Sequence, residues 1–269
     1  MEIKKYRLKS LLLFSLSALI LSACNKYTNT DSTVVNMPVV ESYLVAGDTL
    51  TVKVYNQKSL TDTAQFGSPI NGLKVYVSDG SNNVQLTQAA KGTYTYDDKS
   101  FLTTGKTYTL QFNYLTFNVS AKTTMPAKPV NFSSRYSTIT VPSSSGPNGV
   151  IDTLDKLTWD NPNSANHVLV FKNSDGSSFP IGRGNRPSDF ELSAATASVY
   201  DLTDRTFSYY GHYQVLLFSV NQEYINILTS NTQSSTSQNL INASTNIVNG
   251  YGIFTAMQAD TLTLTVYSQ

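Results

Sequence analysis

The sequence predicts a mainly β protein: two tandem β-sandwich domains of immunoglobulin or transthyretin type, the second carrying one short helix. Three observations lead there. Apolar residues recur at every second position through residues 37–125, as half-buried antiparallel strands require. Glycine and aspartate punctuate those runs at short intervals. The chain is also rich in Thr, Ser, Asn, Tyr and Val, with only 14% Asp, Glu, Lys and Arg. Hydroxyl and β-branched side chains suit a pleated surface.

The first element is not part of the fold. Lys4, Lys5, Arg7 and Lys9 precede an apolar run over residues 11–21, which ends in Leu21-Ser22-Ala23-Cys24. A basic start, an apolar stretch and small residues at a cleavage site make a signal peptide, and a cysteine just after Ala23 makes it a lipoprotein signal. The run falls short of the about 20 apolar residues that a spanning helix needs. Residues 1–23 are therefore expected to be removed between Ala23 and Cys24. Cys24, the only cysteine, then becomes the lipidated N-terminus, carrying diacylglycerol on its thiol and often a further palmitate-like chain on its amine. Each buried CH₂ contributes about 0.8 kcal/mol, and stable anchoring takes more than one chain. Cleavage also removes four basic residues and one acidic (Glu2), leaving 15 Lys and Arg against 17 Asp and Glu, a net charge of −2. A near-neutral body without a basic cluster excludes nucleic acid as a partner.

Residues 24–36 are polar and read as a flexible tether. From 37 to 125 the alternation is regular. Leu50, Val52 and Val54 alternate with Thr51, Lys53 and Tyr55; Leu73, Val75 and Val77 with Lys74, Tyr76 and Ser78; Tyr108, Leu110 and Phe112 with Thr107, Thr109 and Gln111. Phe117, Val119 and Ala121 continue it, and turns are expected around Gly47, Gly80, Gly92 and Gly105. About seven strands of this spacing make the N-terminal sandwich. Pro126 and Pro129 then favour an extended segment, so 126–130 reads as a linker between domains. Strands are expected again at 137–141, 155–159, 167–172, 197–202, 211–220 and 261–267, within a second β-rich domain over 131–269. A helix is expected near 221–230, with Ser219 and Gln222 as a capping box and Tyr224, Ile227 and Leu228 on one face.

No residue pattern points to catalysis, metal or a cofactor beyond the lipid on Cys24. The two histidines, His167 and His212, lie in separate segments, and neither HExxH nor GxSxG occurs. Packing or surface roles are the expectation for both. Asp97-Asp98 and Asp152 with Asp155 read as turn residues and lack the spacing of a calcium loop. Trp159 reads as a core residue. Candidate ligand or partner contacts are Arg183 and Arg186, in a glycine-rich loop, and Tyr209, Tyr210 and Tyr213, of which at least one should be exposed.

Two stretches carry a resemblance. Pro38-Val39-Val40-Glu41-Ser42-Tyr43-Leu44 is followed by Pro69-Ile70-Asn71-Gly72-Leu73-Lys74-Val75, Asp79-Gly80, Gly92-Thr93-Tyr94 and Gly105-Lys106-Thr107-Tyr108. Near the C-terminus, after Glu223-Tyr224, comes Asn246-Ile247-Val248-Asn249-Gly250-Tyr251-Gly252-Ile253-Phe254. Together they resemble the Bacteroidota lipoprotein family known as domain of unknown function 4249. The resemblance implies an outer-membrane lipoprotein that accompanies a TonB-dependent receptor, with no catalytic residues to transfer. Surface-exported lipoproteins of that phylum often carry acidic residues after the cysteine. Residues 25–30 have none, so periplasm-facing and surface locations both stay open. Triplets at Asp31, Asp48, Asp62, Asp152 and Asp260 resemble that phylum's O-glycosylation motif. The expected function is a non-enzymatic accessory or binding component; the alternative is a structural or adhesive protein, pilus-like or matrix-forming, that pairs through a strand edge.

Overall fold

Alternation in sequence becomes alternation in burial. Strand β2 (Leu50–Tyr55) buries Leu50, Val52 and Val54, and β7 (Thr107–Tyr114) buries Tyr108, Leu110 and Phe112. The computed structural model describes residues 36–58, 63–142, 151–182, 186–233 and 244–268. The signal segment 1–23 with Ala23, the lipidation residue Cys24, the tether up to residue 35, Asp31, Asp62 and Arg183 lie outside them.

Two layers enclose the first core. One holds β1 (Val39–Val45), β2, β6 (Thr93–Tyr96) and β5 (Thr87–Ala90) in that spatial order. The other holds β4 (Asn83–Gln85), β3 (Tyr76–Ser78), β7 and β8 (Phe117–Thr124). Val40, Leu44, Val75, Val77, Leu110, Val119 and their neighbours fill the space between. Turns fall at Gly47, Gly80, Gly92 and Gly105, all at positive φ, where a side chain would be strained.

The second core lies between β9 (Val130–Ser134), β11 (Thr153–Asp160) and β14 (Val199–Thr203) on one side and four strands of the large sheet on the other. Those four are β10 (Thr138–Val141), β12 (Asn166–Asn173), β13 (Phe190–Ala195) and β15 (Gly211–Val220), assembled on the final strand β16 (Tyr251–Ser268). Trp159, 4% exposed, belongs to this core as expected. So does Tyr213, expected as a contact residue and instead only 1% exposed.

The tandem arrangement needs one correction. The break at Pro126 and Pro129 falls between the two cores, but the sheet does not stop there. Strand β16 runs parallel to β1 from Tyr251 to Met257, antiparallel to β15 from Met257 to Val266, and parallel to β10 at its end. Among the described residues one nine-stranded sheet therefore crosses both sandwiches, and Ile247, Phe254 and Ala256 pack in the N-terminal core. Residues 37–125 alone leave the outer edge of β1 unpaired. The strand expected at 261–267 begins ten residues earlier, because 253–258 are buried without a break. A strand covered on both faces loses the period of two.

Helix α1 (Gln222–Gln233) provides that second cover, with Tyr224, Ile225 and Leu228 against Val168, Val220 and Met257. The expected capping box does not form. Ser219 stays in β15, its hydroxyl 3.2 Å from His167 Nε2. The helix is tied down instead by its first turn. Glu223 accepts hydrogen bonds from Thr123 Oγ1 (2.6 Å) and Thr255 Oγ1 (3.2 Å), and Asn221 Nδ2 donates to Thr123 Oγ1 and the Thr124 carbonyl. A carboxylate in that turn also complements the helix dipole.

Candidate functional site

Inward residues of β3, β7 and β8 build the core, so their alternate partners must build the opposite face. Register places these in rows. Gln85, Tyr76, Gln111 and Ser120 align across β4, β3, β7 and β8; Asn83, Ser78, Thr109 and Lys122 form the next row; Asn113 stands opposite Asn118. The result is a face of amides, hydroxyls and ammonium groups around a single aromatic ring.

This face is recessed. One trough, of about 580 Å³, is lined by Lys74, Tyr76, Gln111, Asn113 and Asn118 with Phe112 beneath. A second, of about 420 Å³, adjoins it through Gln111 and is lined by Ser78, Asn83, Thr107, Thr109 and Lys122. The Tyr76 hydroxyl donates to Gln85 Oε1 at 3.1 Å, which fixes the ring. At the far rim Lys106 Nζ donates to Asp79 Oδ2 at 2.6 Å, while Asp79 Oδ1 accepts from the Ser81 and Asn82 amides. The Lys106 ammonium, then the Asn82 amide, hold the Asp79 carboxyl well below the usual carboxylate range. The same contact raises Lys106. Within the troughs, Gln111, Asn113 and Asn118 offer side-chain amides that can both donate and accept.

Neutral polar groups at strand spacing, beside an aromatic face, can bind a polyhydroxylated ligand. Each amide can bridge neighbouring hydroxyls, and a ring gives an apolar surface for C–H faces. Sequence alternation already marked Lys74, Tyr76, Thr109 and Gln111 as the outward set. It carried no sign that β3, β7 and β8 are neighbours.

The candidates read from sequence do not form one site. Arg186 braces the second sandwich: Nη1 donates to the Thr206 carbonyl at 2.9 Å, and the guanidinium lies 5.3 Å from the Phe190 ring centre. Tyr213 donates to the Tyr209 carbonyl at 2.8 Å, and burial pushes its pKa up to about 12. Tyr209 and Tyr210 are half-buried, with Tyr210 against the second core. His167 is buried, its Nδ1 3.0 Å from the Ala165 carbonyl, and burial lowers its pKa. His212 is exposed and meets Asp175 Oδ2 through both its backbone N–H and Nδ1, each at 2.9 Å. Those bonds, the backbone one first, hold Asp175 below its ordinary range. Asp155 is buried and accepts from Ser134 Oγ, the Tyr136 amide and the Lys156 amide, so it organises the β9–β10 turn. Among the described residues no group of three or more His, Cys, Asp or Glu could hold a metal ion. No described helix is long and apolar enough to cross a membrane.

Comparison with known proteins gives a family. The family described as Domain of unknown function (DUF4249) matches residues 26–263. No curated protein matches. Among solved structures the chain is similar to the chicken CNTN1 FN1-FN3 domains, at 12% identity over 86% of this chain and 67% of that one, with a TM-score of 0.30. It is similar too to DIP-gamma IG1+IG2, at 12% identity over 88% and 99% of the two chains, with a TM-score of 0.21.

Proposed function

The chain belongs to the domain of unknown function 4249 family, and from that premise we propose that it is a lipid-anchored, non-enzymatic binding component of the cell envelope. Its ligand is polyhydroxylated, a glycan or glycan-like chain, held along the outer face of β3, β7 and β8. The observation that carries this reading is the pair of adjoining troughs lined by Tyr76, Gln111, Asn113 and Asn118. Anchoring rests on the signal anatomy ahead of Cys24. The accessory role beside a TonB-dependent outer-membrane receptor rests on the family resemblance. In that role the protein holds ligand close to the transporter, and no cofactor takes part.

The test uses the mature chain with Cys24→Ser and a panel of soluble polysaccharides, read by calorimetry. Tyr76→Ala and Gln111→Ala should each weaken binding about tenfold or more, equivalent to about 1.4 kcal/mol, with cooperative unfolding retained. Binding that survives both changes, or no binding across the panel, would refute the glycan reading. Co-purification of the acylated protein with a TonB-dependent receptor tests the accessory role.

A structural or adhesive role would need a sheet edge free to accept a strand. The edge strand β5 has all four residues exposed, which is a feature in favour. It is also only four residues long, with a register shift between Gln88 and Ala90, and short, irregular edges resist strand addition.

A further inference from the structure

One end of the N-terminal sandwich gathers apolar side chains from four separate segments. Val39 opens β1 and pairs with both Tyr251 of β16 and Tyr55 of β2. Phe66 stacks on Tyr55 at 5.1 Å between ring centres. Beside them Tyr114 donates to Asn56 Oδ1 at 2.8 Å, which brings in the β7–β8 hairpin with Leu115 at its tip. The segment before β16 joins them, since Asn249 Nδ2 donates to the Asn118 carbonyl and Val248 bridges Ser120. Leu115 is 71% exposed, Val248 58%, Phe66 44% and Tyr251 39%. Leu115 adopts a positive φ of 52°, a region that a bulky side chain rarely enters, so the hairpin accepts strain where this apolar tip is presented.

None of these residues bears a carboxylate, and Asn56, Asn118 and Asn249 take part in the hydrogen bonds that hold them. Tyrosine and phenylalanine with neutral polar neighbours suit the boundary between lipid headgroups and acyl chains. Exposed apolar side chains gathered near one end of a sandwich also mark an interaction surface. Its place in the chain selects the occupant. Met37 leads directly through Pro38 into this end, where the Tyr251 amide donates to the Pro38 carbonyl at 2.9 Å. Only residues 24–36 separate Cys24 from that point, a reach of at most roughly 45 Å.

We propose that this end, carrying Leu115, Val248, Phe66, Tyr251 and Tyr55, rests on the lipid surface that holds the anchor, so that the body docks there through a second, apolar contact. The inference depends on the lipid-anchor reading above. Docking would set the long axis of the trough relative to the bilayer, with its Asn113–Asn118 end nearest the headgroups.

Cys24 is the only native cysteine, and its acylation leaves no other thiol, so a single introduced cysteine labels cleanly. The acylated protein with Leu115→Cys, Val248→Cys or, on the second sandwich, Phe179→Cys (Phe179 58% exposed) is labelled with a polarity-sensitive dye. Each is placed in vesicles of phosphatidylethanolamine and phosphatidylglycerol. Labels at 115 and 248 should shift to the blue and be quenched by headgroup-borne nitroxides, while the label at 179 reports water. Acylated protein that floats with vesicles but shows water-like, unquenched labels at 115 and 248 overturns the docking alone. A blue shift without lipid quenching, accompanied by cross-links between copies, overturns it in favour of self-association. Absence of acyl mass on Cys24 overturns the anchor reading and the docking with it.

Discussion

Replacing Phe254 by alanine tests how the two sandwiches are joined. Phe254 lies in the C-terminal strand, yet its ring is 0% exposed and belongs to the N-terminal core. Truncating a fully buried phenylalanine removes its transfer free energy and leaves a cavity, a combined loss of about 3–5 kcal/mol. For a body of this size each kcal/mol moves the midpoint by roughly 2–4 °C, so the melting temperature should fall by about 6–20 °C. Phe179→Ala is the control, because its exposed ring should be worth about 0.5 kcal/mol or less. Urea unfolding followed by circular dichroism gives the free energies, and hydrogen exchange resolved by segment gives their location. Amides of β1, β2 and β7 should lose protection in Phe254→Ala although the altered residue lies far away in sequence. A cost below about 1 kcal/mol, or loss of protection confined to the second sandwich, would refute the shared-sheet account. Cooperative folding of residues 37–130 alone would refute it equally.

Three other outcomes follow from named contacts. Gly252→Ala should abolish cooperative folding or cut stability severely: Gly252 sits at φ 95°, and a Cβ there would lie 2.0 Å from the Val40 carbonyl oxygen, forcing β1 off β16. Normal expression and an unchanged melting temperature would contradict this. Burial lowers the pKa of His167 beneath its ordinary 6.5, so unfolded chain binds the proton first as pH falls. Stability from this group is complete above about 6.5 and declines below it, down to the folded-state value; urea midpoints should show that slope in the native protein and not in His167→Gln. Asp79 has its pKa depressed by Lys106 and the turn amides, so its contribution is present above its ordinary 3.8 and lost as pH falls below that. Below about pH 4 the native protein should therefore lose stability more steeply than Asp79→Asn.

Much of the fold was legible because its strands are half-buried. Leu50, Val52 and Val54 advertise a core face in any register, and the turns at Gly47, Gly80, Gly92 and Gly105 need only local backbone chemistry. Legibility failed where a residue answers to distant partners. Residues 253–258 have no alternation because α1 covers one face and the first core the other. Ser219 looked like a helix cap, but its hydroxyl meets His167, its partner on the neighbouring strand β12. Tyr213 looked like a contact residue, whereas its side chain completes an aromatic core with Phe190 and Phe207.

The sequence by itself determined the mainly β class, the strand periods, the break at Pro126 and Pro129, and membership of a family of unknown function. These depend on side-chain type and near-neighbour spacing, which a chain displays before it folds. Only the tertiary structure decided that β16 stitches two cores into one sheet and that β3, β7 and β8 set their polar residues side by side. It alone brought Leu115, Val248, Phe66 and Tyr251 to one end. Those facts are pairings between segments far apart in sequence, and the free energy that selects them is the burial of both partners together, which neither segment shows alone.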